Sequence, residues 1–386
     1  MSALRMIGVL ALALVAAGDA GSGHASEEVA ADARAPRTLK AAAGPHFAVG
    51  VGVSVRIVDR PDDQALLTSQ FGWVTPENCM KVQSVQPVEG EFRFADSDRF
   101  VEFAAAHRLN VVGHCLVWAK DDRTPAWFFR DGDGDRDGDG AADADLLLAR
   151  MKTHIDTVVG RYRGRIKAWD VVNEALADGD AEYLRDSGWT RLTGEEFLVK
   201  AFEYAHAADP DALLIYNDYR CDTPGKREKL LRLARMFRER RVPVHAIGLQ
   251  GHYELDAVPY EGLEAMLREL RELEFKVVVS ELDIDVVTRG RWWAENGKYR
   301  EELAKFDPYR DGCPPEVLQR QAEQYQRLFE LFRRYGDVVE RVSFWNLHDG
   351  ESWLNHFPWH RVNHPLLFDR DRKAKPAFHA VLKALE

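Results

Sequence analysis

The sequence has no excess of positive charge. Among its 386 residues, 63 Asp and Glu outnumber 52 Lys and Arg, which gives a formal net charge of −11 at pH 7. Proteins that bind nucleic acid gain most of their affinity from Lys and Arg at the phosphates, so this composition argues against nucleic acid as a partner. An uncharged polymer is electrostatically acceptable to such a surface.

Long hydrophobic runs are also lacking. The longest apolar stretch, residues 6–17, follows Arg5 and precedes small residues. A membrane-spanning helix needs about 20 apolar residues, whereas a secretory signal peptide combines a positive charge with a shorter apolar core. We therefore predict a signal peptide over residues 1–25 and a secreted or periplasmic protein without a stable membrane span. A single membrane anchor is the alternative.

The region after the apolar stretch resembles neither a lipid anchor nor a folded segment. No cysteine follows the stretch to accept a lipid, and cleavage is expected near Ala17, Ala20 or Ala25. Residues 21–43 are rich in Ala, Gly and charge, which predicts a mobile linker over residues 26–43. The folded domain is then expected over residues 44–386.

Cysteine is scarce in the chain. Its four positions, Cys79, Cys115, Cys221 and Cys313, all follow the predicted signal peptide. An oxidising compartment permits disulfides, but spacing alone does not give their pairing. Cys79 and Cys115 lie in segments predicted to form neighbouring strands, so they are either bridged or buried thiols, and we favour buried thiols.

Apolar β-like runs and amphipathic helical patterns alternate along the chain. Eight such runs in about 340 residues are typical of a (β/α)8 barrel, and no G-x-G-x-x-G follows an early strand to favour an open dinucleotide-binding sheet. We therefore predict an α/β protein with one catalytic (β/α)8 TIM barrel domain. The runs cover residues 47–53, 71–75, 110–117, 166–172, 212–216, 246–249, 275–279 and 342–345. The clearest helical patterns cover residues 145–162, 195–208, 226–240, 260–273 and 315–335.

An acidic, glycine-rich insertion near residues 131–144 interrupts this plan. Asp133, Asp135 and Asp137 have the spacing that opens an EF-hand calcium loop. Ala144 stands at the twelfth position, where such loops carry a bidentate glutamate. A weak structural calcium site and a solvated loop without metal are therefore the two interpretations.

A second insertion covers residues 286–315. It carries Trp292, Trp293 and Tyr299. Aromatic residues on a long loop favour a lid or an extended sugar-binding platform, and a packed loop is the alternative.

Two of the apolar runs stop at a glutamate, in the segments Trp169-Asp-Val-Val-Asn-Glu174 and Val277-Val-Val-Ser-Glu281-Leu-Asp283. Glycoside hydrolysis needs one carboxylic acid to protonate the leaving oxygen and one carboxylate on the other face of the sugar. In a barrel, functional side chains lie at the C-terminal ends of the strands, where Glu174 and Glu281 both fall. Asn173, Ser280 and Asp283 add polar groups beside them, which buried strand ends carry only for a reason.

The other predicted strands also end in polar or aromatic residues. Amides and carboxylates bind hydroxyl groups, and aromatic faces stack on apolar surfaces such as the C–H face of a sugar, so the set indicates a carbohydrate cleft. A metal site at His114, His252, Glu174 and Glu281 is the alternative, but no H-E-x-x-H or close His and carboxylate pair supports it. The further candidates are Glu77, Asn78, Lys81, His114, Trp118, Tyr219, Gln250, His252, Trp345 and Trp353.

The segments resemble glycoside hydrolase family 10, the retaining endo-β-1,4-xylanases, over roughly residues 47–385. All of them occur in the family's order and at the predicted strand ends, and together they are very specific. They are Glu77-Asn-Cys-Met-Lys81, Gly113-His-Cys-Leu-Val-Trp118, Trp169-Asp-Val-Val-Asn-Glu174, Asn217-Asp-Tyr219, Gln250-Gly-His252, Ser280-Glu-Leu-Asp283, Pro365-Leu-Leu-Phe-Asp369 and Lys375-Pro-Ala-Phe378.

The resemblance implies that Glu174 is the general acid/base and Glu281 the nucleophile. It further implies that Asn173 binds the 2-hydroxyl of the sugar beside the scissile bond, and that His252 and Asp283 orient the nucleophile. Burial and the negative charge of Glu281 are expected to keep Glu174 protonated until it donates its proton.

The resemblance also places the substrate-binding candidates around the cleaved bond. Trp118 belongs to the same set without a side assigned. The resemblance implies that Trp345 and Trp353 pack around the sugar to be cleaved and that Tyr219 lies toward the leaving group. The residues that it implies on the glycone side are Glu77, Asn78, Lys81, His114 and Gln250.

Three positions and one short stretch depart from the family pattern. Val82, Arg220 and Asn346 replace Trp, Asn and Gly, and the stretch after Trp118 reads Ala119-Lys-Asp-Asp-Arg-Thr-Pro125 where the family supplies His and Gln before Pro. These changes bear on sugar binding on both sides of the cleavage point, and therefore on the length of substrate and the xylan decorations that the protein prefers. Lys120 or Arg123 is a candidate contact for an acidic branch such as glucuronic acid.

The sequence therefore predicts a secreted endo-1,4-β-xylanase that cleaves internal linkages of xylan or xylo-oligosaccharides with retention, through a covalent glycosyl-enzyme and without a catalytic cofactor. One alternative is the same machinery acting on another β-linked glycan. The other is a weakly active carbohydrate-binding protein on this scaffold, although such a protein has no chemical need for intact Glu174, Glu281, Asn173 and His252. Oligomeric state stays open.

Overall fold

The computed structural model describes residues 37–131, 142–289 and 305–386. The predicted signal peptide, most of the predicted linker and the central parts of both insertions lie outside these ranges. The same holds for the candidate calcium ligands Asp133, Asp135 and Asp137 and for Trp292, Trp293 and Tyr299. Within the described ranges, no helix is both long and apolar enough to cross a bilayer.

Eight parallel strands close into a barrel, and a ninth, short strand pairs with one of them outside the ring. The hydrogen-bonded order is β6-β5-β4-β3-β2-β1-β9-β8-β7, and β6 also pairs with β8, which closes the ring past β7. The predicted (β/α)8 barrel is thereby confirmed. The strands are β1 (Ala48–Val53), β2 (Trp73–Pro76), β3 (Asn110–Trp118), β4 (Ala168–Asn173), β5 (Leu213–Asp218), β6 (Ala246–Leu249), β7 (His252–Glu254), β8 (Lys276–Asp285) and β9 (Val339–Trp345).

The barrel strands are buried on both faces. All six residues of β4 are buried, and so are nine of the ten in β8. A strand covered by helices on one side and by the barrel interior on the other needs apolar residues at nearly every position. This is why each barrel strand was recognisable as an apolar run in the sequence.

Helices connect the strands and pack against the barrel. The five predicted helical patterns correspond to α5, α7, α8, α9 and α10 within two residues at each end. Asp143 caps α5, since its Oδ1 accepts a hydrogen bond from the backbone N of Leu146 at 2.7 Å. The helices in the described ranges are α1 (Leu39–Ala43), α2 (Pro61–Gln70), α3 (Val82–Val85), α4 (Ala95–Ala106), α5 (Ala144–Arg161), α6 (Gly188–Thr193), α7 (Glu196–Ala208), α8 (Pro224–Glu239), α9 (Tyr260–Glu272), α10 (Pro315–Arg334) and α11 (Pro376–Ala384).

The end of the predicted linker is folded, which corrects its boundary at residue 43. Leu39, Ala42 and Ala43 of α1 are buried, and the backbone N of Leu39 donates to Oε1 of Gln70 at 2.9 Å. The alanines that suggested a mobile, low-complexity segment instead supply a small apolar face that packs on the core. The folded domain therefore begins before residue 44.

The predicted seventh run also ends too early. It was expected to stop at residue 279, but β8 continues to Asp285 because its last part pairs with the short strand β7. Its pairing with β6 stops at Val279 and its pairing with β9 at Leu282. Glu281 therefore lies where β8 leaves the barrel wall, at the C-terminal end of the ring.

Two glycines make room for site residues inside the barrel. A Cβ on Gly52 of β1 would lie 2.6 Å from Cε3 of Trp345, and a Cβ on Gly248 of β6 would lie 2.4 Å from Oδ1 of Asn217. Real Cβ atoms do not approach that closely, so glycine permits these two side chains to occupy the interior.

The four cysteines all lie in the described ranges and are free thiols. Cys79, Cys115 and Cys221 are buried and Cys313 is half-buried. Burial raises the pKa of Cys79 to about 12 and that of Cys313 to about 11. Burial therefore disfavours the thiolate, which is the reactive form, at both positions.

Candidate active site

Glu174 follows β4 directly and sits at a strained turn. Its φ of 58° is in the left-handed region that side chains other than glycine rarely adopt. Two hydrogen bonds hold the turn: the backbone N of Glu174 donates to the carbonyl of Asn217 at 2.9 Å, and Nε of Arg185 donates to the carbonyl of Glu174 at 3.0 Å. The turn aims a buried carboxylate at the C-terminal end of the barrel.

Glu281 is buried at the same end and is held by side chains from two other strands. Nδ2 of Asn217 donates to its Oε1 at 2.8 Å, and Nε2 of His252 lies 3.2 Å from its Oε2. Both carboxylate oxygens therefore have a defined partner, which fixes the orientation of the group.

His252 bridges Glu281 and Asp283. Its Nδ1 lies 2.9 Å from Oδ2 of Asp283, which also accepts a hydrogen bond from Nε1 of Trp353 at 2.8 Å. Burial disfavours the imidazolium, but Asp283 and then Glu281 outweigh it and raise the pKa of His252 to about 9. His252 is therefore a cation at neutral pH and donates to both carboxylates.

Amide side chains connect the two glutamates. Nδ2 of Asn217 donates to Oδ1 of Asn173 at 3.0 Å as well as to Glu281. Nε2 of Gln250 donates to Oε1 of Glu174 at 3.0 Å and lies 3.4 Å from the same Asn173 oxygen. Asn173 thus stands between the two carboxylates. Five predicted residues belong to this one network: Asn173, Glu174, His252, Glu281 and Asp283.

Asn217 was missed as a site residue. Ser280 donates from Oγ to Oδ1 of Asn217 at 2.6 Å, which sets the direction of its amide. The sequence contained the signal, since Asn217 ends a predicted strand and opens the Asn-Asp-Tyr segment. Only the fold shows that its amide reaches both Glu281 and Asn173.

Lys120 is the dominant charged neighbour of Glu174, with its Nζ 2.5 Å from Oε2. Burial raises the pKa of Glu174, but the Lys120 ammonium, with hydrogen bonds from Lys120 and Gln250, outweighs burial and leaves the pKa below its ordinary value. The expectation that burial and the charge of Glu281 keep Glu174 protonated is therefore wrong for this structure, because it omitted a cation at hydrogen-bond distance.

Arg123 and Lys120 both lie near the Trp118 ring. The guanidinium carbon of Arg123 is 5.5 Å from the ring centroid, and Nζ of Lys120 is 5.9 Å from it. Arg123 is half-exposed, whereas Lys120 is committed to Glu174. Of the two candidates for an acidic branch, Arg123 is thus the one that faces solvent.

Lys81, Asn78 and Glu77 lie together after β2. Nζ of Lys81 donates to Oδ1 of Asn78 at 2.9 Å and lies 5.0 Å from the Trp118 ring centroid. Burial raises the pKa of Glu77 above its ordinary value, although Lys81 opposes the shift. The three residues therefore form one wall of the cleft next to Trp118.

His114 and Trp345 are buried deeper in the barrel. Nδ1 of His114 lies 2.8 Å from Oδ2 of Asp170, a residue of β4 that the sequence did not single out. The His114 ring is 5.3 Å from Trp345 and 6.1 Å from Trp118, both in edge-on contacts. These contacts connect the wall formed by Lys81, Asn78 and Glu77, through Trp118, to the buried rings of His114 and Trp345.

Tyr219 follows β5, and a polar cluster holds its ring. Its hydroxyl donates to Oδ2 of Asp178 at 2.6 Å and accepts from Nη2 of Arg185 at 2.9 Å. Nζ of Lys226 lies 3.7 Å from the ring centroid. The ring is thereby fixed beside Lys120, whose Nζ is 5.4 Å from it.

Asn346, one of the departures from the family pattern, has a structural role. Its φ of 89° explains why glycine or asparagine suits this position. Its Oδ1 accepts a hydrogen bond from the backbone N of Trp353 at 2.9 Å. The substitution thus positions the Trp353 indole, which contacts Asp283 and lies 4.9 Å from His252.

The described part of the chain contains no set of ligands that would support the alternative of a metal site. There, no three His, Cys, Asp or Glu side chains converge as a metal-binding group. His114 and His252 each pair with their own aspartate, Asp170 and Asp283.

The fold and this site define a class of protein. A (β/α)8 barrel with two buried glutamates, joined by amides and bordered by tryptophan and tyrosine at the C-terminal end of its strands, has the architecture of a glycoside-hydrolysing enzyme.

Comparison with known proteins identifies the family. The family description "Glycosyl hydrolase family 10" matches residues 38–384. An endo-1,4-beta-xylanase from Geobacillus stearothermophilus is 40% identical, over 86% of this chain and 94% of its own length. Endo-1,4-beta-xylanase B from Paenibacillus barcinonensis is 38% identical, over 89% and 97%. A solved family 10 endoxylanase from a sugarcane soil metagenome superposes with a TM-score of 0.82 at 36% identity, over 90% of this chain and 99% of that one. The chain belongs to glycosyl hydrolase family 10, as the resemblance of its motifs implied.

Proposed function

We propose that this family 10 enzyme is an endo-1,4-β-xylanase that hydrolyses internal linkages of xylan and xylo-oligosaccharides with retention of configuration. The observation that carries the proposal is the amide network between Glu174 and Glu281, in which Asn217 and Gln250 both contact Asn173. The xylanase names of the relatives and of the solved structure support xylan as the substrate.

In the first step, protonated Glu174 donates its proton to the glycosidic oxygen while Glu281 attacks the anomeric carbon from the opposite face. The bond to the leaving sugar breaks, and a covalent glycosyl-enzyme forms on Glu281. His252, as a cation, holds the attacking carboxylate through Oε2, and Asn217 holds it through Oε1. In this proposal Asn173 binds the 2-hydroxyl of the reacting sugar.

In the second step, Glu174 as a carboxylate removes a proton from water, and the oxygen of that water attacks the glycosyl-enzyme. Glu281 leaves as a carboxylate, and the product keeps the β configuration. Glu174 ends protonated, ready for the next cycle. The two steps need water and the two glutamates, so the proposal includes no cofactor.

The cleft walls suit an uncharged, hydroxyl-rich polymer. Lys81, Asn78, Glu77, His114 and Gln250 offer hydrogen bonds on the glycone side. The aromatic rings of Trp118, Trp345, Trp353 and Tyr219 offer apolar faces. We assign Tyr219 to the leaving-group side, where Asp178 and Arg185 fix its hydroxyl.

Export of the protein is also part of the proposal. A polysaccharide substrate is found outside the cell, in agreement with a secretory signal peptide over residues 1–25. The candidate calcium ligands Asp133, Asp135 and Asp137 remain a prediction.

Proton NMR of the mature protein acting on unsubstituted xylohexaose tests the proposal. The newly formed reducing ends are followed before they mutarotate, and the expected first product is the β-anomer. A Glu281→Ala variant, purified identically, controls for contaminating xylanase and should release no new reducing ends.

Other outcomes would redirect the assignment. An initial α-anomer would show that the mechanism is wrong. Rapid cleavage of a different β-linked oligosaccharide in place of xylohexaose would support the other-glycan alternative, and binding of xylohexaose without turnover would support the carbohydrate-binding alternative.

A further inference from the structure

Lys120 stands in a loop whose position is fixed from both sides. Its backbone N donates to the carbonyl of Trp118 at 2.8 Å, and its carbonyl accepts from the N of Arg123 at 3.1 Å. The next residue, Asp121, accepts from the backbone N of Gly188 and from Nη2 of Arg191, both at 2.6 Å. The loop thus carries the Lys120 ammonium to Glu174 on an anchored backbone.

The charged groups around Glu174 come from several elements. Lys120 contacts its Oε2, and Arg185 contacts only its backbone carbonyl. Tyr219, after β5, is a neighbour of Lys120. Glu281 and the cationic His252 are separated from the Glu174 carboxylate by the amides of Asn217 and Gln250. Lys120 is therefore the one cation, among the described residues, within salt-bridge distance of the Glu174 carboxylate.

The two steps of the proposed reaction make opposite demands on Glu174. It must carry a proton when the glycosidic bond breaks, and it must be a carboxylate when water attacks. A cation at 2.5 Å favours the carboxylate in both states of the cycle. It therefore opposes the first step at high pH and supports the second step at low pH.

We propose that Lys120 is a positioning residue that acts through Glu174, holding its carboxylate as the base for the second step and thereby setting the pH range of the enzyme. This inference rests on the proposed function, since it needs Glu174 as the acid/base. The proton balance is unchanged: the proton that Glu174 gives to the leaving oxygen is recovered from water. The lowered pKa of Glu174 agrees with this role.

The test compares Lys120→Met with Lys152→Met. Lys152 is half-exposed on α5 and pairs with Asp156, so its substitution removes the same charge away from the cleft. For xylohexaose, the alkaline limb of kcat/KM reports the acid in the free enzyme. Lys120→Met should move this limb upward by about 1–2 pH units, the usual effect of losing an adjacent opposite charge. Lys152→Met should leave it in place.

The second step is measured with an aryl xylobioside whose activated phenolate leaves without a proton. With such a substrate kcat reports attack by water, which needs Glu174 as a carboxylate. Lys120→Met should lower this kcat about 10-fold at pH 5, because a raised Glu174 pKa depletes the base. Lys120→Arg keeps the charge and should keep both profiles near those of the wild type.

The outcomes separate the two proposals. If Glu174→Gln retains the wild-type rate on xylohexaose, the proposed function fails. If Glu174→Gln is impaired but Lys120→Met has wild-type pH profiles, or if Lys152→Met shifts them equally, only the role of Lys120 is overturned. Thermal unfolding of each variant checks that the fold is kept, which the partly exposed position of Lys120 leads us to expect.

Discussion

The surroundings of Glu281 and of Glu174 differ in origin. Glu281 is held by Asn217, His252 and, through His252, by Asp283, all of which lie on strands β5, β7 and β8. Glu174 is held by Gln250, which directly follows β6, and by Lys120 on the loop after β3. The strands therefore orient the carboxylate of Glu281, the proposed nucleophile, whereas a loop residue is the charged neighbour of Glu174, the proposed acid/base.

The same contrast appears in the two cations. His252 and Lys120 each contact one glutamate, but the side chain of His252 is 14% exposed and that of Lys120 is 27% exposed. Loops tolerate sequence change better than the strands they connect. This explains why the departures from the family pattern after Trp118 bear on Glu174 and leave the partners of Glu281 intact.

The largest expected effect comes from removing the carboxylate of Glu281. Glu281→Ala should lower kcat on xylohexaose by about 10⁴-fold or more, because no other group can form the glycosyl-enzyme. Binding of xylohexaose, measured by isothermal titration calorimetry, should change little. Glu203→Ala, on the exposed face of α7, is the matched control. Weakened binding together with an unchanged rate would contradict the assigned role.

A smaller effect is expected when the imidazolium of His252 is removed. His252→Gln should lower kcat at pH 6 by about 10- to 100-fold, since a hydrogen bond from a charged group is worth about 1.5–3 kcal/mol. A steady-state pH series that shows no loss in the variant would assign the orientation of Glu281 to Asn217 alone.

The same cation makes stability depend on pH. Because folding raises the pKa of His252 from 6.5 to about 9, its contribution is fully present below pH 6.5 and is lost as pH rises through 9. The loss should approach about 3 kcal/mol, and urea unfolding from pH 6 to 10 measures it. His252→Gln should lack this component of the decline, and an equal decline in the variant would assign it to other groups.

The smallest effect concerns the solvent-exposed charge on the loop after Trp118. Arg123→Ala should lower the ratio of kcat/KM on glucuronic-acid-substituted oligomers to that on plain xylo-oligomers by about 2- to 5-fold, because exposed ion pairs are worth less than about 1 kcal/mol. The double variant Lys120→Ala, Arg123→Ala adds the second candidate. Equal ratios in the wild type and the double variant would rule out recognition of an acidic branch by these residues.

Much of the fold was predictable because burial on both faces leaves a readable pattern. The barrel strands are apolar runs, and the longer helices have polar and apolar faces, so their order could be identified one by one. The errors arose where tertiary contacts override local composition. Leu39, Ala42 and Ala43 pack as a helix in an Ala-rich segment, and β8 continues past Val279 because a distant segment, β7, pairs with it.

The candidate site was predictable in most of its members but not in its electrostatics. Glu174 follows β4, His252 begins β7, and Glu281 and Asp283 lie in the part of β8 beyond its pairing with β6. The resemblance to family 10 implied their roles. The side-chain contacts of Asn217 with Asn173 and Glu281, and of Lys120 with Glu174, join segments that are 44 or more residues apart in the chain. No spacing pattern encodes such distances.

The sequence by itself determined the order of strands and helices, and with it the end of the barrel at which the polar residues meet. It did so because parallel strands in a closed barrel all point their C-terminal ends the same way. Only the tertiary structure decided that a lysine from the loop after β3 reaches the Glu174 carboxylate and lowers its pKa. Electrostatic effects depend on distance and burial, and both exist only once the chain has folded.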